Sequence, residues 1–95
     1  MAAYVILDIE VTDPVRYEDY KRASTEIIAK YGGQFIVRGG KHEPIEGDWD
    51  LHRVVVIKFE SVARARECWN SKDYADAKAI RQSAARTKAF LVDGV

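Results

Sequence analysis

The sequence predicts an α+β domain with the element order β-α-β-β-α-β, in which four antiparallel strands form one sheet and the helices share one of its faces. Three observations predict it. Apolar residues alternate with other residues at the two-residue period of a strand in separate stretches along the chain. Between the first and second stretches, and between the third and fourth, apolar residues recur at helical spacing behind a capping residue. The second and third strands are joined by a polar insert without either period, which reads as a long loop or irregular hairpin.

The first strand runs from Ala3 to Thr12, with Val5, Leu7, Ile9 and Val11 on a uniformly apolar face and Tyr4, Ile6, Asp8 and Glu10 on a mixed one. Asp13-Pro14 stops it and opens a helix, because the carboxylate accepts from orphan N–H groups and proline has no N–H to waste at the first helical position. Losing that cap costs about 1 kcal/mol. Tyr17, Tyr20, Ser24, Ile27, Ile28 and Tyr31 form the buried stripe, with Glu18/Arg22 and Glu26/Lys30 expected as solvent-side pairs. Gly32-Gly33 ends the helix.

Strand two, Gln34 to Arg38, sets Phe35 and Val37 against Gln34, Ile36 and Arg38, and Gly39-Gly40 breaks or bulges it. The insert from Lys41 to His52 contains Pro44 and Gly47. Strand three, Arg53 to Phe59, is rich in β-branched residues, as a central strand covered on both faces would be. Ser61 caps a helix that turns Val62, Ala65, Cys68 and Trp69 inward. Asn70-Ser71 interrupts it, and Ser71 caps a continuation carrying Tyr74, Ala77, Ile80 and Ala84. The last strand, Thr87 to Val92, has Phe90 and Val92 on one face and Ala89 and Leu91 on the other.

This order is the ferredoxin-like split β-α-β plan. Residues 1–95 are read as a single domain, small enough to bury only about 60 to 65% of its unfolded surface. The 47% hydrophobic and 32% charged residues place the chain in the globular class and outside the disordered one. Strand three, with Ile6, Ile36 and Ala89 or Leu91, puts apolar groups on both sheet faces, and the helices cover only one. A second copy of the chain is the simplest cover for the other, so a homodimer through the sheet face is expected.

Fifteen basic and fifteen acidic residues cancel, which argues against nucleic acid or an anionic membrane surface as partner. RNA-recognition domains share this topology, yet they need outward aromatics on the central strands beside a basic surface, where this chain has valines. The lone Cys68 forms no internal disulfide, and neither a secretory signal nor a spanning segment is visible, so a cytoplasmic location is expected.

Asp13-Pro14 with Tyr17 and Tyr20, the run Tyr31-Gly-Gly-Gln-Phe-Ile-Val-Arg-Gly-Gly40, Glu46-Gly-Asp-Trp49, Arg53 to Phe59 and Asn70-Ser-Lys-Asp-Tyr74 together resemble domain-of-unknown-function family 1330, over essentially the whole chain. The resemblance implies the dimeric α+β barrel superfamily, in which two ferredoxin-like sheets pack face to face. That superfamily includes cofactor-free monooxygenases, muconolactone-type isomerases, dehalogenases, haem-degrading enzymes and regulatory ligand-binding domains. The family itself implies no single reaction.

Arg38, charged among apolar neighbours at the end of strand two, is a candidate clamp for a carboxylate or enolate; its structural alternative is a role in an ion-pair group, with Asp8, Glu10 and Lys58 as the possible partners if their mixed faces coincide. His42 and His52 flank the insert, and His42 is the candidate general base, with Tyr20 as a second proton-moving group. Tyr17, Trp49 and His52 are candidate ligand-binding residues, each with packing or solvation as the plainer role. Cys68 beside Trp69 reads as a small buried hydrophobe. No metal site is expected, since there is no H-E-x-x-H, no cysteine pair and no EF-hand spacing, and no cofactor is expected because no glycine-rich phosphate loop precedes a helix. Two functions follow: a cofactor-independent enzyme, monooxygenase-like or isomerase-like, acting on a small acidic or enolisable organic molecule; or a non-catalytic dimeric ligand-binding or structural domain.

Overall fold

A computed structural model describes all residues from Met1 to Val95. Its elements are β1 (Ala3–Val11), α1 (Pro14–Lys30), β2 (Gln34–Arg38), β3 (Arg53–Phe59), α2 (Val62–Trp69), α3 (Lys72–Ala84) and β4 (Ala85–Asp93). The four strands form one sheet in the order β2-β3-β1-β4, and every pairing is antiparallel. This is the expected ferredoxin-like plan, with β1 and β3 in the middle. No helix is long and apolar enough to cross a membrane.

The caps hold as the side chains dictate. Asp13, Ser61 and Ser71 each accept from the backbone N–H three residues on, at 3.1 Å. Gly33 sits where a β-carbon would lie 2.5 Å from Ile28 Cγ2 and 2.9 Å from the Phe59 ring, so the turn after α1 packs its backbone directly on the core. The solvent-side pairs differ from expectation: Glu18 pairs with Lys21, Asp19 with Arg22, and Lys30 reaches across to Asp73 on α3. One helical turn offers partners at both three and four residues, and the third-residue neighbours won.

The core lies between the helices and the inner face of the sheet. Val5, Leu7 and Ile9 of β1 and Val55, Ile57 and Phe59 of β3 meet Tyr17, Tyr20 and Ile28 of α1, Ala65 and Cys68 of α2, and Tyr74, Ala77 and Ala84 of α3. Strand β4 is longer than expected. Its first residue follows the last residue of α3 without a loop, and the Ala84 carbonyl accepts from both Thr12 and Asp13 N–H groups, at 2.8 and 3.0 Å.

The outer face carries Ile6, Val54, Val56, Val37, Phe90 and Val92, set side by side by the registers Ile6↔Val56, Ile6↔Phe90 and Val37↔Val56. Within one chain nothing covers it: Phe90 is 60% exposed and Val92 41%. Two sequence assignments are corrected here. Ala89 and Leu91 pair with Leu7 and Val5 and so face the helices, leaving Phe90 and Val92 to the outer face. In β2 the register jumps between Phe35 and Val37, so Ile36 is the extra residue of a bulge and the simple alternation fails.

Candidate functional site

The bulge decides where the chemistry goes. Because Ile36 is skipped, Phe35 pairs with Ile57 and Arg38 with Val55, and both partners are buried inner-face residues. Arg38 is therefore brought to the helix side of the sheet. Its guanidinium lies 4.0 Å from the Phe35 ring centroid and donates through Nη2 to Thr25 Oγ1 at 2.9 Å and to the Lys21 carbonyl at 3.4 Å. The expected alternative, an ion pair with Asp8 or Glu10, does not form, because those carboxylates are on the outer face.

A second arginine joins it from the next strand. Arg53 shares its parity in β3 with Val55 and Ile57, and its guanidinium lies 5.6 Å from the Tyr17 ring, with a buried Nε that has no hydrogen-bond partner. Gly39, at φ +73°, makes room for it, since a β-carbon there would come within 2.3 Å of Arg53 Nη1. Neither Arg38 nor Arg53 has a carboxylate within ion-pair distance. With Lys21, Arg22 and Thr25 they line a shallow cationic cleft of about 360 Å³ at the edge of α1. Behind it, a crevice walled by Tyr17, Tyr20, Ser24 and Phe35 has only about 10 Å³ free, room for a single water.

Tyr20 closes that crevice. Its hydroxyl is 2.7 Å from the Tyr74 hydroxyl, and burial raises the pKa of both phenols against the opposing pull of the Arg81 charge. Both are neutral at physiological pH, so Tyr20 is a hydrogen-bond donor or acceptor there and not a phenolate. Cys68 is buried, and burial pushes its thiol up to about 11, which leaves it unreactive.

The histidines are elsewhere. His52 sits on the outer face, where Asp8 Oδ1 accepts from the His52 backbone N–H at 2.7 Å and Oδ2 lies 3.0 Å from Nδ1. Glu10 and Asp50 carboxylates approach Nε2 at 3.7 and 3.8 Å. The Asp8 hydrogen bond raises the His52 pKa against a smaller loss from burial, while Asp8 is held low because its His52 bonds and the Lys88 charge together outweigh burial. His42 is exposed, and with His52, Lys41, Gly40 and Arg53 it lines an open cleft of about 650 Å³ at the end of the sheet. Trp49 is 62% exposed on the insert and donates from Nε1 to the Glu46 carbonyl at 2.8 Å.

Of the sequence-expected residues, Arg38, Tyr17 and Tyr20 come together; His42, His52 and Trp49 do not join them. The grouping of His42 with Arg38 and Tyr20 is thus corrected: Gly39-Gly40 turns the chain away after Arg38, and His42 faces the sheet end. The residue that sequence reasoning missed is Arg53, and its shared parity with Val55 and Ile57 was the available signal.

The sequence profile described as Domain of unknown function (DUF1330) matches residues 2–95. The chain belongs to the DUF1330 family. No curated protein matches it. Among solved structures, this DUF1330 chain is similar to RPA0582, a protein of unknown function from Rhodopseudomonas palustris, at TM-score 0.76 and 20% identity, covering 99% of this chain and 82% of that one. It is also similar to SnoaB, a cofactor-independent oxygenase from Streptomyces nogalater, at TM-score 0.72 and 13% identity, with 99% and 93% covered. A dimeric ferredoxin-like protein of unknown function from Thermobifida fusca matches at TM-score 0.66 and 19% identity, with 99% and 92% covered. At these identities the likeness establishes the ferredoxin-like fold and nothing about chemistry.

Proposed function

We propose that this DUF1330 chain is a homodimeric, cofactor-independent enzyme acting on a small acidic or enolisable organic molecule, with Arg38 and Arg53 as the anion clamp. One observation carries the reading: two arginines from neighbouring strands converge on one cleft with no carboxylate within ion-pair distance of either. Uncompensated guanidinium groups favour an anion, and favour it more as negative charge develops on an enolate in the transition state. The substrate sits in the outer cationic cleft, since the crevice behind it takes only a water. Tyr20, neutral and already bonded to Tyr74, is the group that would pass a proton or hold that water, since His42 and His52 line neither the cationic cleft nor the crevice behind it. The shared fold of a cofactor-independent oxygenase supports the class.

The same reading pairs two chains through the outer sheet face, where Phe90, Val92, Ile6 and Val56 are otherwise left to water. The dimeric state of the Thermobifida relative supports it. Sedimentation at micromolar concentration is expected to give twice the chain mass of 10.8 kDa; a monomer would refute the pairing. The filled crevice favours a second reading, a non-catalytic dimer that binds the same anions without turning them over.

The test is a thermal-shift and turnover screen with small carboxylates and quinol-like compounds, on the natural chain and on Arg38→Ala and Arg53→Ala. Enzyme function requires that a compound both raise the melting temperature and be consumed, and that either substitution suppress both effects. Stabilisation without consumption selects the binding domain. No stabilisation by any compound removes both readings.

A further inference from the structure

The charge balance of the cationic cleft narrows what it can hold. Three elements supply its lining: Lys21, Arg22 and Thr25 from α1, Arg38 from the end of β2 and Arg53 from the start of β3. None of these residues is apolar, so the cleft offers no surface on which a carbon skeleton could pack, and the charged group of a ligand decides what binds.

Only two of the four cations are free. Lys21 pairs with Glu18 at 2.8 Å and Arg22 with Asp19, both within α1. Arg38 and Arg53 make no ion pair, which leaves the cleft two uncompensated positive charges. Their donors are unspent as well. Arg38 commits one nitrogen, Nη2, to Thr25 Oγ1 and the Lys21 carbonyl, and keeps Nε and Nη1 unused. Arg53 has a buried Nε without a partner, a costly state for a donor. Both guanidinium groups are nevertheless held in place, Arg38 at 4.0 Å from the Phe35 ring and Arg53 at 5.6 Å from the Tyr17 ring. Contact with a ring engages the face of a guanidinium and leaves its in-plane N–H groups to donate.

A carboxylate answers half of this arrangement. It brings one negative charge and two oxygens in one plane, which match a single guanidinium fork and leave the second arginine uncompensated. A phosphate monoester brings a charge of about −1.5 to −2 near neutral pH and three strong acceptor oxygens in more than one plane, enough for two forks arriving from neighbouring strands. Resting on the anion-clamp reading above, we propose that the Arg38–Arg53 cleft is a phosphate site, and that the small acid it takes is a phosphate monoester.

Three ligands sharing one phenyl ring separate charge from shape: phenyl phosphate is a tetrahedral dianion, phenyl sulfate a tetrahedral monoanion and benzoate a planar monoanion. In calorimetric titration of the natural chain at about pH 7.5, phenyl phosphate is expected to bind at least about tenfold more tightly than either monoanion. The lining holds no carboxylate and no histidine. Phenyl phosphate should therefore weaken about fivefold or more on going to about pH 5, as it takes up its second proton near pH 6, while phenyl sulfate, whose charge is constant, stays level. Arg38→Ala and Arg53→Ala should each bring phenyl phosphate down to the affinity of the monoanions. Arg38→Lys and Arg53→Lys, which keep the charge and lose the fork, replace an alanine variant that fails to fold and should weaken phenyl phosphate about fivefold or more. Monoanions that bind as tightly as phenyl phosphate, all three depending on the arginines, overturn the phosphate site and leave the anion clamp standing. Tight binding of phenyl phosphate whatever stands at positions 38 and 53 also overturns it, since the phosphate is then held elsewhere. No binding of any of the three up to roughly ten millimolar removes the clamp and the phosphate site together.

Discussion

The two faces of the sheet differ in how their charges are paired. On the inner side Arg38, Arg53 and Arg81 stand among aromatic rings without a carboxylate partner. On the outer side Asp8, Glu10 and Asp50 gather round His52 at one end, with Arg86 and Lys88 on the neighbouring strand beside them. A net charge of zero therefore hides a difference in pairing: these inner arginines lack a carboxylate partner, while the outer-face carboxylates are matched by His52, Arg86 and Lys88. Composition alone cannot reveal this, because the average is taken over faces that the pleat keeps apart.

The most severe way to break the contrast is a buried charge on either side of one strand. Val55→Asp, on the inner face, is expected to prevent folding outright, since an unpaired carboxylate in the core costs several kcal/mol out of a small domain's margin. Val56→Asp, one residue on and facing outward, is expected to leave circular dichroism intact and shift sedimentation from dimer to monomer. Equal outcomes for the two variants would show that the faces are not as different as the register implies.

A smaller effect probes the inner side. Tyr74→Phe removes the partner of a buried hydroxyl at 2.7 Å and is expected to lower stability in urea by about 1 to 2 kcal/mol, with the slope of the transition unchanged. A loss below a few tenths would mean that water replaces the lost hydroxyl.

The outer side is tested by pH. The folded pKa of His52 is raised, so the stability it contributes is complete below the unfolded value of about 6.5 and fades as pH rises through the folded value. Asp8 is shifted the opposite way, so its contribution is present above the unfolded carboxylate value of about 3.9 and fades as pH falls through the folded one. The pair is thus strongest in the weakly acidic window between the two. Asp8→Asn should move the His52 titration, read by NMR, back toward the usual histidine value, and should cost more stability at pH 6 than at pH 9. A difference that grows with pH would reverse the assignment.

The least effect is expected from Trp49→Ala. The indole is mostly exposed and bonded only to a carbonyl of its own turn, so single-chain stability should change by no more than about 0.5 kcal/mol. A larger loss in the assembled protein than in the Val56→Asp monomer would place the insert against the partner chain.

The fold was legible because each signal was local: Asp13-Pro14, Ser61 and Ser71 open the helices where their side chains say, and parity separates the faces of β1 and β3. Arg38 shows where legibility stops. Its face depends on one bulged residue, Ile36, and a bulge is a property of the pairing with β3, invisible in a five-residue strand read alone. Asp8 and His52 are 44 positions apart, and only the β1–β3 register brings them together. Arg53 and Arg81 were readable from spacing, but a charged residue on a core stripe is easily passed over in favour of an apolar neighbour such as Ile80.

The place of β1 in the sheet has a consequence for synthesis. β1 is central in the sheet, and one of its neighbours, β4, is made only after the other three strands and all the helices. Until then β1 lacks that neighbour, and its Val5-Ile6-Leu7 segment stays open to association with other nascent chains until the nine-residue β4 arrives. High sequence separation of the β1–β4 contacts also makes their closure a slow, late event in folding.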